Sequence, residues 1–376
     1  MALRKSLIFT ILALFSFTLL KADEPGEKKK PQEPTEAILH HIQDAHDWHI
    51  TDIPTTGDDG ETHMTPIALH LPWMFWSSKD GFVFASGTDE LLEMGYAPVH
   101  EHLVPLKAGT EVHADEHGHV HMTDEEAAAL RDEEVSVLDF SLTKTSFQMI
   151  LIGLLLVLVF TSVARSYTKR EGQAPKGMQS FLEPVIVFVR DEVAKPYLGD
   201  KANAFLPYLL TLFFFIWFAN LFGLTPLNSN IAGNISVTAA LAVLTFILTQ
   251  VNASKDHWIH VFNTPGVPGW LKFGIPLMPA VEFLGLFTKP FALAVRLFAN
   301  ITAGHFMVLG LVSLIFIMGN QGTEMGSAMA IMPLSVLFTI VIFCLEMIVA
   351  IVQPFIFTLL TAVFIGMAME SHDDHH

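Results

Sequence analysis

Two blocks of the sequence, 279–318 and 332–368, are almost unbroken apolar runs, each longer than the ~20 residues that carry a helix across a bilayer. In lipid every backbone N–H and C=O must find its partner inside the protein, so such runs fold as helices. Shorter runs at about 146–166, 204–224 and 235–252 bring the number of predicted spans to five. Composition agrees. Of 376 residues, 51% are hydrophobic and 31 are phenylalanine, at a mean hydropathy of +0.46, too apolar for a soluble domain of this length.

Charge orients the spans. Seven Lys or Arg lie between Arg165 and Lys201, and Lys255, Lys272 and Lys289 follow the third span. The links 225–234 and 319–330 carry none. The positive-inside rule therefore predicts an outside N-terminus and a cytoplasmic C-terminus. Residues 178–197 differ from the spans. Phe181, Leu182, Val185, Ile186, Val189 and Val193 recur at helical spacing, interrupted by Glu183, Arg190, Asp191 and Glu192. That pattern predicts an amphipathic helix in the cytoplasmic interface. The expected fold is an all-α polytopic membrane protein of about five transmembrane helices. It adds one interfacial helix and ends in a long helical hairpin.

Ahead of the spans, residues 1–22 read as a signal peptide. Arg4 and Lys5 precede a short apolar core, and Leu20-Lys21-Ala22 ends it. An uncleaved anchor is the alternative. Residues 23–143 form an exported region, and 144–376 the membrane domain. The exported region holds 26 of the 38 acids beside six Lys or Arg, which argues against nucleic acid as a partner. Residues 67–76 and 81–85 predict two strands around a turn at Lys79-Asp80-Gly81, within a small β-rich domain. His113, His117, His119 and His121 are spaced closely enough to hold a transition metal. A solvated His-rich surface without a fixed ligand shell is the blander reading. No cofactor is otherwise implied. The single cysteine, Cys344, leaves no disulfide framework.

Few ionisable groups remain inside the last two blocks: Glu282, Lys289, Arg296, His305 and Glu346, joined by the amides Asn300 and Gln353. An arginine at this depth costs roughly 2.5–3.5 kcal/mol on insertion scales and commonly marks an ion pathway. It can also snorkel to the headgroups or serve a structural pair. Asn300, one turn after Arg296, shares its face. His305 is roughly 13 Å further along the axis and half a turn round it. In an antiparallel hairpin His305 comes level with Glu346, and Arg296 with Gln353. Glu282 lies on the opposite side of Arg296. The pattern predicts two proton-accessible zones with an arginine between them.

Lys289-Pro290, Arg296-Leu297-Phe298-Ala299-Asn300 and Ala303-Gly304-His305 together resemble the signature of the subunit a family of F-type ATP synthases. So do Gln353-Pro354-Phe355-Ile356-Phe357-Thr358-Leu359-Leu360-Thr361, Phe188-Val189-Arg190-Asp191 and Asn234-Ile235-Ser236-Val237-Thr238. The resemblance covers roughly 146–370. It implies that Arg296 is the stator arginine facing a c-ring carboxylate. Asn300, His305, Glu346 and Gln353 then line a proton inlet from outside, and Glu282 the cytoplasmic outlet. Many bacterial members carry the carboxylate and the histidine at the opposite positions, an exchange that preserves the pair. The resemblance further implies a non-catalytic, ion-translocating subunit in a bacterial inner membrane. Its partners would be the c-ring, the peripheral-stalk b subunits, the soluble ATPase sector, lipid and protons. The alternative, a secondary ion-coupled transporter, would show internal repeats; none is evident. Neither a His-Glu-x-x-His nor a Gly-x-Ser-x-Gly motif occurs, and there is no phosphate-binding loop.

Overall fold

The computed structural model describes residues 47–56, 62–99, 102–107, 109–110, 112–113, 120, 122–225, 231–262, 277–319 and 325–370. The expected signal at 1–22 and His117, His119 and His121 lie outside them; His113 lies within and is exposed. Among the described residues no group of three or more His, Cys, Asp or Glu is placed to hold a metal ion. The chain divides into two compact units, one ending at Gln148 and the other running from Met149.

The N-terminal unit opens on an antiparallel hairpin of β1 (Asp47–Thr56) and β2 (Thr62–His70), with a register shift between His49 and Thr51. The strand expected over 67–76 is in fact two. Pro72 cannot donate to a ladder, and the chain breaks there before β3 (Trp73–Ser77). β4 (Gly81–Ala85) pairs with β3 through the expected turn, at which Gly81 has φ 75°, a conformation cheap only for glycine. Then come α1 (Thr88–Glu93), the hairpin β5 (Tyr96–Val99) and β6 (His102–Pro105), and α2 (Asp124–Leu130), which Thr123 and Glu126 close with a capping box. β7 (Val137–Asp139) returns to the free edge of β3, giving the order β4-β3-β7. Alternation points Trp73, Phe75, Val83 and Ala85 into a core with Leu91, Tyr96 and Leu103. The Tyr96 ring meets Phe75 edge-on at 4.7 Å. Its hydroxyl reaches Ser77 Oγ at 2.7 Å and Asp80 Oδ2 at 2.6 Å. Burial, helped by the Asp80 carboxylate, raises the Tyr96 pKa above its ordinary value.

The first span, α3 (Lys144–Lys169), leads into the membrane unit. α4 (Met178–Phe188), a π turn (Val189–Ala194), α5 (Lys195–Leu198), a 3₁₀ turn (Gly199–Lys201) and α6 (Ala202–Gly223) follow as one helical run of 46 residues. The expected interfacial helix and second span are thus consecutive parts of one run. Leu182, Val189 and Val193 from its first half pack with Leu209, Phe213 and Phe214 of α6. Within the π turn, Asp191 takes Arg190 at 2.9 Å and Lys195 at 2.7 Å. α7 (Ile235–Val251) is capped by the Asn234 side chain and meets α8 (Lys255–Phe262) at a 103° bend. The long hairpin is α9 (Leu277–Met318) and α10 (Met325–Met369). Ser254, at the α7–α8 corner, holds the end of α10 by donating its N–H to the Ala368 carbonyl (2.7 Å) and its hydroxyl to that of Glu370 (3.0 Å). Among the described residues four helices are long and apolar enough to cross a membrane, and the bent pair makes a fifth.

Candidate functional site

Leu293, Leu297 and Ile301 recur every four residues on α9. They form a buried stripe against Leu212 and Ile216 of α6 and Phe357 of α10. Arg296 and Asn300 each precede a stripe residue and so lie about 100° round the helix from it. Burying the stripe turns Arg296 outward. It is exposed, and among the described residues it makes no ion pair.

Asn300 Nδ2 donates to Gln353 Oε1 at 2.9 Å, across to α10. Gln353 is only 2% exposed, and its Nε2 is buried without a hydrogen-bond partner among the described residues. Gln353 was expected level with Arg296; it is joined instead to Asn300, one turn further along. Another turn on, the Glu346 carboxylate fills the space that a Cβ on Gly304 would need. Only a residue without a Cβ leaves the Glu346 carboxylate in this place. His305 follows Gly304 directly and is half-buried, while Glu346 is buried.

Sequence reasoning passed over a third polar group. Pro354 has no N–H, so the Ala350 carbonyl, four residues earlier, loses its helical donor. Asn220 of α6, 2% exposed, donates Nδ2 to that carbonyl over a long 3.4 Å. Ala350 lies between Glu346 and Gln353, so Asn220 joins their seam. A proline in a span needs such a rescue, and an amide in an apolar run needs a reason. Those two signals together would have found it. Asn220→Leu is expected to leave the carbonyl unpaired and to cost about 1–3 kcal/mol, read as a lowered Tm of the detergent-solubilised protein.

At the other end of α9, Glu282 Oε1 lies 3.6 Å from His260 Nδ1 of α8. Both face a cavity of about 340 Å³ between α7, α8, α9 and α10, lined also by Gln250, Asp256, His257 and Lys289. Lys289 sits over the Phe364 ring at 5.6 Å, a cation–π contact. Gln250, His257 and His260 were absent from the expected site: the two histidines lie beyond the third span, and Gln250 is a single amide in its last turn. Along α9, Arg296 is roughly 21 Å from Glu282 and roughly 13 Å from His305, at 1.5 Å per residue.

Fold and site define a multi-pass helical membrane protein with ionisable groups at two separate stations along its closing hairpin. The chain belongs to the ATP synthase A chain family, whose model matches residues 146–366. It is 44% identical over 243 residues to ATP synthase subunit a of Chloroherpeton thalassium, covering 64% of this chain and 70% of the relative. The subunit a of Anaeromyxobacter dehalogenans is 44% identical over 245 residues, covering 64% of this chain and 61% of the relative. That of Myxococcus xanthus is 42% identical over 282 residues, covering 72% and 86%. Residues 37–140 match a separate model described as a domain of unknown function (DUF8433).

Proposed function

We propose that this chain is the proton-conducting stator subunit of an F-type ATP synthase. In this reading it delivers protons from outside to a c-ring carboxylate and collects them on the cytoplasmic side. The observation that carries it is Arg296: exposed, without a counter-charge among the described residues, and set between the Glu346–Gln353 seam and the Glu282 cavity. A lone cation in lipid is costly, and an anionic group on a neighbouring subunit offsets that cost. An opposite charge this close lowers a carboxyl pKa by about 1–3 units. The arriving neutral carboxyl therefore gives up its proton near Arg296 and is left as the carboxylate, and the arginine keeps the two half-paths apart. His305, Glu346, Asn300 and Gln353 form the inlet and Glu282 the outlet. Membership of the family supports the partners: the c-ring, the peripheral-stalk b subunits and the soluble ATPase sector. The chain itself performs no catalysis. Relatedness to bacterial subunits a supports a bacterial inner membrane, and the Lys and Arg asymmetry supports residues 23–143 outside, after a signal at 1–22, and the C-terminus of the 144–376 domain in the cytoplasm.

The inlet is tested in vesicles stripped of the soluble sector, where passive proton flux is read directly. His305→Ala and Glu346→Ala are each expected to slow it about 10²-fold, the usual worth of a positioned proton carrier. Exchanging the two types, His305→Glu with Glu346→His, should recover part of it. Unchanged flux in either single variant would remove that residue from the route.

A further inference from the structure

Among the described residues nothing covers the second face of the β4-β3-β7 sheet. Since Trp73, Phe75 and Ser77 point into the core, Met74 and Trp76 point away, and Phe82 and Phe84 do so on β4. Register aligns them. Trp76 pairs with Phe82 on one side and Leu138 on the other. Met74 pairs with Phe84, and its carbonyl accepts from the Phe140 N–H at 2.8 Å. The result is two rows of three, Phe84–Met74–Phe140 and Phe82–Trp76–Leu138, with no polar side chain among them. Phe82 is 67% exposed, Phe140 61%, Leu138 58% and Phe84 56%. The open face of an antiparallel sheet normally alternates to polar residues, and so dense an apolar patch marks a contact surface.

We infer that this face rests on the lipid surface, with its aromatic rings among the headgroups. Chain continuity argues for lipid over a soluble partner. Phe140 precedes Lys144, the first residue of α3, by four residues, so at most about 14 Å of chain separates the patch from a membrane helix. The headgroup zone is itself roughly 5–8 Å deep on each side, and Trp and other aromatic side chains settle at that level. The acidity of the surrounding region favours zwitterionic over anionic lipid.

Spin labels test this. Phe82→Cys and Phe84→Cys, each in a Cys344→Ser background, are labelled in the full chain, purified with its complex and reconstituted in phosphatidylcholine vesicles. Collision with oxygen is compared with collision with a water-soluble nickel chelate. Leu158 on α3 is the lipid reference, and Glu93, exposed on α1, the aqueous one. The expected ratio at Phe82 and Phe84 shifts from that of Glu93 toward that of Leu158. A ratio equal to that of Glu93 would overturn the inference, because the face would then be in water. Low collision with both reagents would also overturn it, because protein would then cover the face.

Discussion

Arg296→Ala is expected to abolish ATP-driven proton pumping and proton-driven ATP synthesis while leaving the chain folded and assembled. Arg296 is exposed on α9, and the stripe that anchors the helix is Leu293, Leu297 and Ile301. Truncating the arginine therefore opens no cavity in that core. What disappears is the cation. Without it, the pKa of an approaching carboxyl rises by about 1–3 units, and its ratio of ionised to neutral form falls about ten- to a thousandfold. Arg296→Lys should recover little, since an ammonium facing lipid gives up its proton where a guanidinium does not. Dye-reported acidification of inverted vesicles, with ATP hydrolysis measured in parallel, checks both variants. Normal coupled pumping by the alanine variant would sink the central assignment.

Gly304→Ala is expected to slow passive proton flux by about 10²-fold, the order of loss that follows when a reacting group is displaced by about 1 Å. The added methyl needs the space that the Glu346 carboxylate fills. Of the two, the longer and more flexible side chain yields. Gly310, two turns further along α9, has nothing within 4 Å of where its Cβ would lie. Gly310→Ala should leave flux unchanged and stabilise the helix by roughly 0.5–1 kcal/mol. Glu346→Asp, added to Gly304→Ala, withdraws the carboxylate by one methylene and should restore part of the flux. Equal flux in the Gly304→Ala and Gly310→Ala variants would mean that protons do not pass Glu346 here.

The spans were legible in the sequence because an apolar run in lipid has one backbone solution. The seam was legible to within a turn. Spacing along α9 and α10 gives the rise between residues on one helix, but the stagger between helices depends on how the stripe at Leu293, Leu297 and Ile301 seats against Phe357. Gln353 accordingly meets Asn300 rather than Arg296. The 103° corner between α7 and α8 was not legible, because Ser254 and the end of α10 fix it through contacts remote in sequence. Two misses had readable causes. Pro72 splits the expected strand, and Pro354 calls for the Asn220 amide.

The length of the hairpin has its own consequence. Its apolar stretches run over 36 residues in Ala280–Ile315 and 44 in Gly326–Met369, about 54 and 66 Å of helix against roughly 30 Å of hydrocarbon. Keeping them submerged requires the axes to lean about 60° from the normal, well beyond the usual ~20°. On such a slope, sequence distance becomes mostly lateral distance. The roughly 13 Å from His305 to Arg296 resolves into about 11 Å sideways and 7 Å of depth. The hairpin then acts as a ramp. In the function proposed above, a neighbour sliding along it would meet His305 and Arg296 one after the other, so travel sideways would set the order of proton uptake and release.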